Sequence, residues 1–176
     1  MTQATHMPHK TPPTLRKPVS ADGGAIWDLV RACKPLDENS MYCNLIQCDH
    51  FRDTCVVAEH DGDVLGWISA YVMPSAPDTL FVWQVAVSEQ ARGMGLGTKM
   101  LGHILDREDC AEVRRLQTTI TRDNEASWSL FRRFSERRLG QLDSQPHFTQ
   151  DDHFMGQHET EHMVTIKLPE RMKKAA

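Results

Sequence analysis

The feature that most constrains this chain is a glycine-rich segment, Arg92-Gly93-Met94-Gly95-Leu96-Gly97-Thr98, which separates two strongly patterned stretches. The stretch before it, Leu80–Val87, is apolar on both alternating faces and predicts a buried central strand. The stretch after it predicts an amphipathic helix, whose apolar stripe is Met100, Leu101, Ile104 and Leu105. The segment therefore belongs to a predicted strand-loop-helix unit.

Alternating glycines leave a run of backbone N–H groups free of obstruction by Cβ atoms. At a helix N-terminus such groups favour an anion, and a diphosphate is the natural occupant. Both common phosphate fingerprints fail on spacing, because the segment reads G-x-G-x-G and Gly97 is followed by Thr98-Lys99. The alternative is a glycine turn that only tightens the connection between strand and helix.

The N-terminal half of the chain predicts a short strand, two helices and a β-hairpin. The strand is predicted near Leu15–Lys17, and the hairpin turns at Asp61-Gly62 between 54–60 and 64–73. Ser20 is the predicted N-cap of the first helix, and Ser40 to His50 form the second. The predicted inward faces are Ile26, Leu29, Val30 and Cys33 in the first helix and Met41, Leu45 and Ile46 in the second.

The C-terminal half predicts a strand over Arg115–Thr121, a helix capped by Asn124 and a last strand over His162–Leu168. The predicted inward residues of the helix are Ala126, Leu130, Phe131 and Phe134. The whole order is β-α-α-β-β-β-α-β-α-β, which predicts an α/β fold with a mixed sheet. We expect one domain over 14–169, with a disordered tail over 1–13 and a C-terminal tail over 170–176.

Composition excludes several classes of protein. The 176 residues suit one domain, and 40% hydrophobic content suffices for a core. A net charge of −4 argues against general nucleic-acid binding. The sequence contains no run of 18 apolar residues, so it predicts no membrane span. The first fifteen residues do not resemble a secretory signal. Five irregularly spaced cysteines indicate a reducing cytoplasm.

The segment Arg92-x-x-Gly95-x-Gly97, between a strand ending Val85-Ala86-Val87 and a helix, resembles motif A of the GCN5-related N-acetyltransferases (GNATs). Asn124-Glu125-Ala126 resembles the family's N-x-A before the next helix. The resemblance covers roughly residues 15 to 140. It implies the GNAT fold, in which helices flank a mixed, mostly antiparallel central sheet.

The resemblance also implies the cosubstrate, acetyl-CoA, and the residues that bind it. The loop amides would hold the diphosphate, and the strand before the loop would pair with the pantetheine arm. The implied cofactor-binding residues are Val85, Ala86, Val87, Arg92, Gly93, Met94, Gly95, Leu96, Gly97, Thr98, Asn124 and Phe131. At Phe131 the family often has a tyrosine that protonates the leaving thiolate, so that proton must come from elsewhere or from water.

A narrower resemblance is to the L-2,4-diaminobutyrate acetyltransferases of ectoine biosynthesis, which serve osmoadaptation. It is carried by 35–45, by Phe81–Val87 and by the late His-Glu-Thr-Glu-His-Met stretch. It implies that acetyl moves from acetyl-CoA to the 4-amino group of diaminobutyrate. It also suggests a homodimer.

Amine acetylation needs acidic groups near the acceptor, because a primary amine titrates near pH 10.4 and is almost wholly protonated at neutral pH. The segment between the first two predicted helices supplies such groups. The substrate-binding candidates there are Asp37, Glu38, Asn39, Tyr42 and Asn44. The alternative is a solvated acidic turn that caps a helix.

Three further residues join these candidates. Trp83 has core packing as its ordinary role, but its ring face could also hold a cationic amine. Glu159 and Glu161 are candidate ammonium ligands or a proton relay, against the alternative of a solvated strand entrance. The predicted catalytic residues are Tyr42, Asp37 and Glu161.

Two patterns imitate metal sites. His158-Glu159-Thr160-Glu161-His162 matches H-E-x-x-H, which needs a helix, but here it leads into a predicted strand. Cys43, Cys48, His50 and Cys55 lack the spacing of a structural zinc site. We therefore expect no metal.

The sequence favours direct attack of the amine in a ternary complex, because no cysteine has a histidine partner at motif level. Two alternatives stay open. The first is an acetyltransferase for another small diamine or a polyamine, which lacks the α-carboxylate. The second is a non-catalytic acyl-CoA-binding module, which the absent tyrosine at Phe131 would fit.

Overall fold

A computed structural model describes residues 11–170. Its strands are β1 (Thr14–Arg16), β2 (Val56–His60), β3 (Asp63–Met73), β4 (Ala76–Val87), β5 (Arg115–Ile120), β6 (Gln141–Phe148) and β7 (Glu161–Lys167). Its α-helices are α1 (Gly23–Ala32), α2 (Met41–His50), α3 (Leu96–Leu105) and α4 (Glu125–Arg137). The helices and strands thus include nearly all the predicted elements.

The strands form one mixed sheet in the order β1-β2-β3-β4-β5-β7-β6. β4 and β5 pair in parallel, whereas β1–β2, β2–β3, β5–β7 and β6–β7 are antiparallel pairs. A parallel pair needs a crossover connection, and here the loop and α3 supply it. The structure confirms the predicted mixed, mostly antiparallel sheet with flanking helices.

The chain contains two compact units, which share the strands β3 and β4. Within the described residues, unit 1 comprises 11–69 together with Gln84–His103, and unit 2 comprises Ala70–Trp83 together with 104–170. Buried side chains of unit 1 include Ile26, Val30, Val57, Trp67 and Ala86. Buried side chains of unit 2 include Leu80, Leu116, Phe134, Val164 and Ile166.

The predicted hairpin is confirmed. Asp61 and Gly62 both have positive φ, at 51° and 87°, as a tight turn between antiparallel strands requires. The buried stripes of α1 and α3 are also confirmed, since every predicted member is less than 9% exposed. The strand predicted over Arg115–Thr121 is β5, in which the alternating residues Leu116, Thr118 and Ile120 are buried.

The predicted N-cap at Ser20 is wrong. Ser20–Asp22 form a short 3-10 turn, and α1 begins only at Gly23. The reason is Asp22. Its carboxylate accepts hydrogen bonds from both Nη groups of Arg16, at 2.7 and 2.8 Å, and from the Val19 N–H at 2.7 Å. A bidentate, partly buried ion pair therefore fixes the chain before the helix.

The predicted inward face of α2 is also wrong. Met41 is 42% exposed, and Leu45 and Ile46 are only half-buried. The buried residues are Asn44, Gln47 and Cys48. Asn44 Nδ2 donates to Gln47 Oε1 at 3.2 Å, so two amides one turn apart satisfy part of each other's hydrogen-bonding capacity inside unit 1.

Two other predictions need correction, and one strand was not predicted. Strand β4 buries one face, with Leu80, Val82, Gln84 and Ala86, but Trp83 on the other face is 49% exposed. In α4, Ala126 is exposed although Phe131 and Phe134 are buried. Strand β6 was not predicted, because it is an exposed edge strand with polar residues and Pro146.

The prediction of one domain over 14–169 stays a prediction, and most of the two predicted tails lies outside the described residues. Across 11–170, no helix is both long enough and apolar enough to cross a membrane.

Candidate active site

The glycine-rich segment forms the turn that leads into α3. Gly93 and Gly95 have φ values of 78° and 71°, which residues with a Cβ rarely adopt. Lys99 N–H donates to Gly95 O at 3.1 Å, so the N–H groups of Leu96, Gly97 and Thr98 precede the first intrahelical bond of this kind. Three backbone donors at a positive helix end suit a diphosphate, so the loop fits coenzyme A.

Contacts within unit 1 fix this loop at the end of β4. Arg92 Nε and the Cys33 thiol both donate to Val87 O, each at 3.3 Å. Gly66 on β3 lets α3 approach closely, because an added Cβ there would lie 2.9 Å from Met100 Sδ. The helix that follows the glycine-rich segment therefore packs directly on the sheet.

The three residues at the end of β4 differ in what they can offer a ligand. The Ala86 side chain is fully buried, so only its backbone is available. Val85 and Val87 are half-buried on the opposite face, which is also the face of Trp83. An apolar face that is partly open on a central strand is typical of a ligand contact rather than of core packing.

A buried glutamine that the sequence analysis missed holds the segment between α1 and α2 against β4. Gln84 Nε2 donates to the backbone oxygen of Asp37 at 2.8 Å, and Gln84 Oε1 accepts from Asn39 Nδ2 at 3.2 Å. Trp27 Nε1 donates to Asn39 O at 3.1 Å. Asp37 and Asn39 are thus fixed to one strand of unit 1, as the acceptor-site hypothesis requires.

The other candidates of this segment are placed differently. Glu38 forms ion pairs with Lys34 and, at 3.6 Å, with Arg31, and the hydrogen bond from Lys34 lowers the pKa of its carboxyl group. Tyr42, in the first turn of α2, is 70% exposed. Asn44 is fully buried against Gln47. Asp37 and Asn39 share the Gln84 contact, whereas Glu38 and Asn44 have other partners.

In unit 2, Asn124 is the N-cap of α4, where its side chain accepts from Ser127 N at 3.1 Å. This confirms the predicted cap. Phe131 is 2% exposed and packs in the interior. A buried phenyl ring cannot protonate a thiolate, so the departure from the family's tyrosine is a real chemical difference.

The two late glutamates lie at the entrance to β7, Glu159 before the strand and Glu161 as its first residue. Residues 158–160 are irregular, Glu161 opens the strand, and no helix spans the H-E-x-x-H pattern. His158 Nε2 lies 3.9 Å from Glu161 Oε1, and Glu159 is exposed. His158 and His162 therefore lack the helical spacing of a zincin pair.

The cysteines do not form a metal site either. All five are free, and Cys48 and Cys55 are buried. Burial raises the pKa of the Cys48 thiol to about 12, which keeps it protonated. Across the part of the chain that the structure describes, no three His, Cys, Asp or Glu side chains are grouped to hold a metal ion.

The glycine loop, the strand before it and the capped helix after β5 reproduce the features of an acetyl-CoA-binding fold. The model of the acetyltransferase (GNAT) family matches residues 24–135, which include all three. The chain belongs to this family. This confirms the fold class and the implied use of acetyl-CoA.

Similar GNAT proteins cover nearly the whole chain. The L-2,4-diaminobutyric acid acetyltransferase of Halomonas elongata is 46% identical, over 89% of this chain and 81% of that protein. The enzyme of the same name from Vibrio cholerae is 45% identical, over 94% of this chain and 95% of that protein. The narrower resemblance in the sequence is therefore confirmed.

A solved structure shows the same fold. Diaminobutyrate acetyltransferase EctA from Paenibacillus lautus, in complex with its substrate L-2,4-diaminobutyric acid and coenzyme A, is 37% identical to this chain. The similarity has a TM-score of 0.85 and covers 90% of this chain and 96% of that chain.

Proposed function

We propose that this GNAT transfers acetyl from acetyl-CoA to the 4-amino group of L-2,4-diaminobutyrate. The observation that carries the proposal is the similarity over almost the full chain to enzymes named for this activity, one of them solved with the diamino acid and coenzyme A. The loop before α3 fits the cosubstrate independently of that similarity.

The cosubstrate would be held by backbone groups. The N–H groups of Leu96, Gly97 and Thr98 would bind the diphosphate, with Arg92, Gly93, Met94 and Gly95 forming the turn beneath it. The end of β4, at Val85, Ala86 and Val87, would offer backbone groups to the pantetheine arm and to the thioester carbonyl. Asn124 and Phe131, which cap and pack α4 in unit 2, remain predicted cofactor-binding residues.

The acceptor amine must be bound as an ammonium group and then deprotonated. We assign ammonium recognition to Asp37, because Gln84 and Asn39 fix its backbone to β4. Glu38, Asn44 and Glu159 remain predicted contributors to substrate binding. Trp83 supplies an exposed ring face for a cation.

The amine attacks the thioester directly in the ternary complex. Tyr42 and Glu161 are the proposed groups for proton removal, the first exposed in α2 and the second at the start of β7. The thiolate leaves without a phenol at position 131, so water or another group protonates it.

A thiol-release assay tests the proposal. The wild type is incubated with acetyl-CoA and a panel of L-2,4-diaminobutyrate, 1,3-diaminopropane and a polyamine. We expect the highest kcat/KM with diaminobutyrate, and product analysis should locate the acetyl group on the 4-amino nitrogen. Greater turnover of a polyamine would favour the first alternative, and no thiol release with any amine would favour the non-catalytic acyl-CoA-binding module.

The assignment of Asp37 has its own test. Asp37 is exposed in the structure, so its bond to the ammonium group becomes desolvated only when the substrate binds. Losing a charged hydrogen bond that binding desolvates costs roughly 2–5 kcal/mol, so Asp37→Ala should lower kcat/KM for diaminobutyrate by at least about thirtyfold. Asp28→Ala, on an exposed position of α1, is the matched control and should keep full activity. Unchanged turnover of Asp37→Ala would contradict the assignment.

The proposed setting is the cytoplasm, within ectoine biosynthesis, and the proposed assembly is a homodimer. Five free cysteines support a reducing compartment. The exposed edge strand β6 supports association with a second copy. Light scattering on the purified chain gives the mass in solution, and the mass of one chain would exclude the dimer.

A further inference from the structure

Unit 2 contains a cavity of about 480 Å³, open to solvent, beside the end of β5 and the connection from β6 to β7. Residues that line it include Arg122, Asp123, Thr149, Glu159 and His162. Its volume is typical of a small-molecule site. Its lining combines a cation, two carboxylates and a buried histidine.

His162 has a buried N–H group that lacks a hydrogen-bond acceptor among the described residues. Arg122 Nε donates to His162 Nε2 at 3.3 Å. An arginine can only donate, so Nε2 must accept, and the proton of a neutral imidazole lies on Nδ1. His162 is 8% exposed, and within residues 11–170 its Nδ1 is buried without a hydrogen-bond partner. Such a group indicates a missing acceptor.

The arginine has capacity left for the same acceptor. Arg122 is exposed. Among the described residues it makes one hydrogen bond, to His162, and no ion pair. Its Nη groups can therefore bind a carboxylate through two parallel N–H bonds. Arg122 and His162 together offer a carboxylate a charged fork and a neutral N–H donor.

Two acidic side chains of the cavity suit the ammonium group of a ligand that carries both a carboxylate and an ammonium group. Asp123 accepts from Thr121 Oγ1 at 2.6 Å, which lowers the pKa of its carboxyl group and keeps it ionised. The second acidic side chain is Glu159, which lines the same cavity. The two acidic side chains hydrogen-bond to each other. A cation and this acidic pair at one small cavity match the α-carboxylate and the α-ammonium of an amino acid.

We propose that this cavity binds the α-carboxylate of an amino acid at Arg122 and His162 and its α-ammonium group at Asp123 and Glu159. The inference rests on the proposed function, under which that amino acid is the acceptor, diaminobutyrate. The 4-amino group then extends from a fixed amino-acid end. Specificity over a simple diamine comes from Arg122, because a diamine lacks the carboxylate.

Calorimetric titrations of the full chain with saturating coenzyme A test the site. The probes are L-2-aminobutyrate, which has the amino-acid end without a 4-amino group, and 1,3-diaminopropane, which has two amines without a carboxylate. Arg122→Gln should raise the dissociation constant of L-2-aminobutyrate by about tenfold or more, because one charged bond is lost, and leave that of 1,3-diaminopropane within about twofold. Arg52→Gln, an exposed arginine of unit 1, should change neither.

A second measurement uses the wild type alone. With ¹⁵N-labelled histidine, L-2-aminobutyrate should shift the Nδ1 resonance of His162, whereas 1,3-diaminopropane should not. Equal binding of L-2-aminobutyrate by wild type and Arg122→Gln, or no shift at His162, overturns the site. The thiol-release assay separates the two proposals: wild type that binds L-2-aminobutyrate through Arg122 but does not acetylate diaminobutyrate keeps the site and loses the proposed function.

Discussion

Gln84 Nε2 donates a hydrogen bond of 2.8 Å to the backbone oxygen of Asp37, which lies 47 positions earlier in the chain. The other end of the same amide accepts from Asn39 Nδ2 at 3.2 Å. Gln84 is 9% exposed, so both ends of its amide are used away from bulk water. One side chain of β4 thereby fixes the segment that carries the proposed ammonium ligand.

Gln84→Met keeps the length of this side chain and removes both hydrogen bonds. If Gln84 positions Asp37, KM for diaminobutyrate should rise and kcat/KM should fall by about tenfold, equivalent to 1.4 kcal/mol. The dissociation constant of acetyl-CoA, measured by calorimetry, should not change, because the loop before α3 is untouched.

Gln141→Met is the matched control, since Gln141 is exposed on the edge strand β6. It should leave both constants at the wild-type values. An equal loss of acetyl-CoA affinity in Gln84→Met would show a general disturbance of unit 1 rather than positioning of Asp37, and wild-type kcat/KM would show that the contact has no role in acceptor binding.

The glycine loop and its flanking elements could be predicted from the sequence, because their signals are local. Glycines, a strand pattern and a helical stripe all lie between Leu80 and Leu105. The role of Gln84 could not be predicted in this way. It lies within an apolar run, and its partners are 45 and 47 positions away.

The same distinction explains the errors. Hydrophobicity predicted Met41 as an inward residue of α2, but the structure buries Asn44 and Gln47, whose amides pair at 3.2 Å. Only tertiary contacts make a buried amide acceptable, and a single sequence does not report them. The prediction that both faces of β4 are buried failed at Trp83 for a related reason, because an apolar strand does not show which of its faces is open; for Trp83 itself the sequence left an open ring face as the alternative to core packing.

Gly95→Val tests the loop. A β-branched residue at a φ of 71° is strained, so the turn must move, and its side chain would stand beside the proposed diphosphate site. We expect the dissociation constant of acetyl-CoA, measured by calorimetry, to rise by at least about tenfold, or 1.4 kcal/mol. Circular dichroism should show an intact fold.

Gly62→Val is the matched control, because Gly62 has a φ of 87° in the hairpin turn and, like Gly95, has no heavy atom within 4 Å of an added Cβ. Both substitutions should lower the free energy of unfolding by about 1–3 kcal/mol. Only Gly95→Val should lose acetyl-CoA affinity. Similar losses in both variants, or none in Gly95→Val, would move the cosubstrate off this loop.

Metal removal tests the interpretation of the late histidine pair. His158 precedes β7 and His162 lies within it, so the two imidazoles are not on one face of a helix. Treatment with EDTA followed by dialysis should leave kcat unchanged in the thiol-release assay. A loss of activity that only added zinc restores would contradict this expectation.

Asp22 makes the stability of unit 1 depend on pH. The hydrogen bonds from Arg16, foremost, lower the pKa of its carboxyl group below the ordinary 3.8. A lowered pKa in the folded state means that ionised Asp22 stabilises the fold at pH values above 3.8. This stabilisation is lost as the pH falls below that value through the pKa of the folded state.

Asp22→Asn keeps the shape of the side chain and removes the charge that Arg16 binds at 2.7 Å. The free energy of unfolding in urea at neutral pH should fall by about 1.5–3 kcal/mol, as for other hydrogen bonds to charged groups. The difference from wild type should shrink as the pH falls below 3.8, because wild-type Asp22 then becomes protonated as well. Asp53→Asn, which removes an exposed ion pair with Lys17, should cost less than about 1 kcal/mol at neutral pH. A difference for Asp22→Asn that stays constant down to the acid transition would show that its charge does not stabilise the fold.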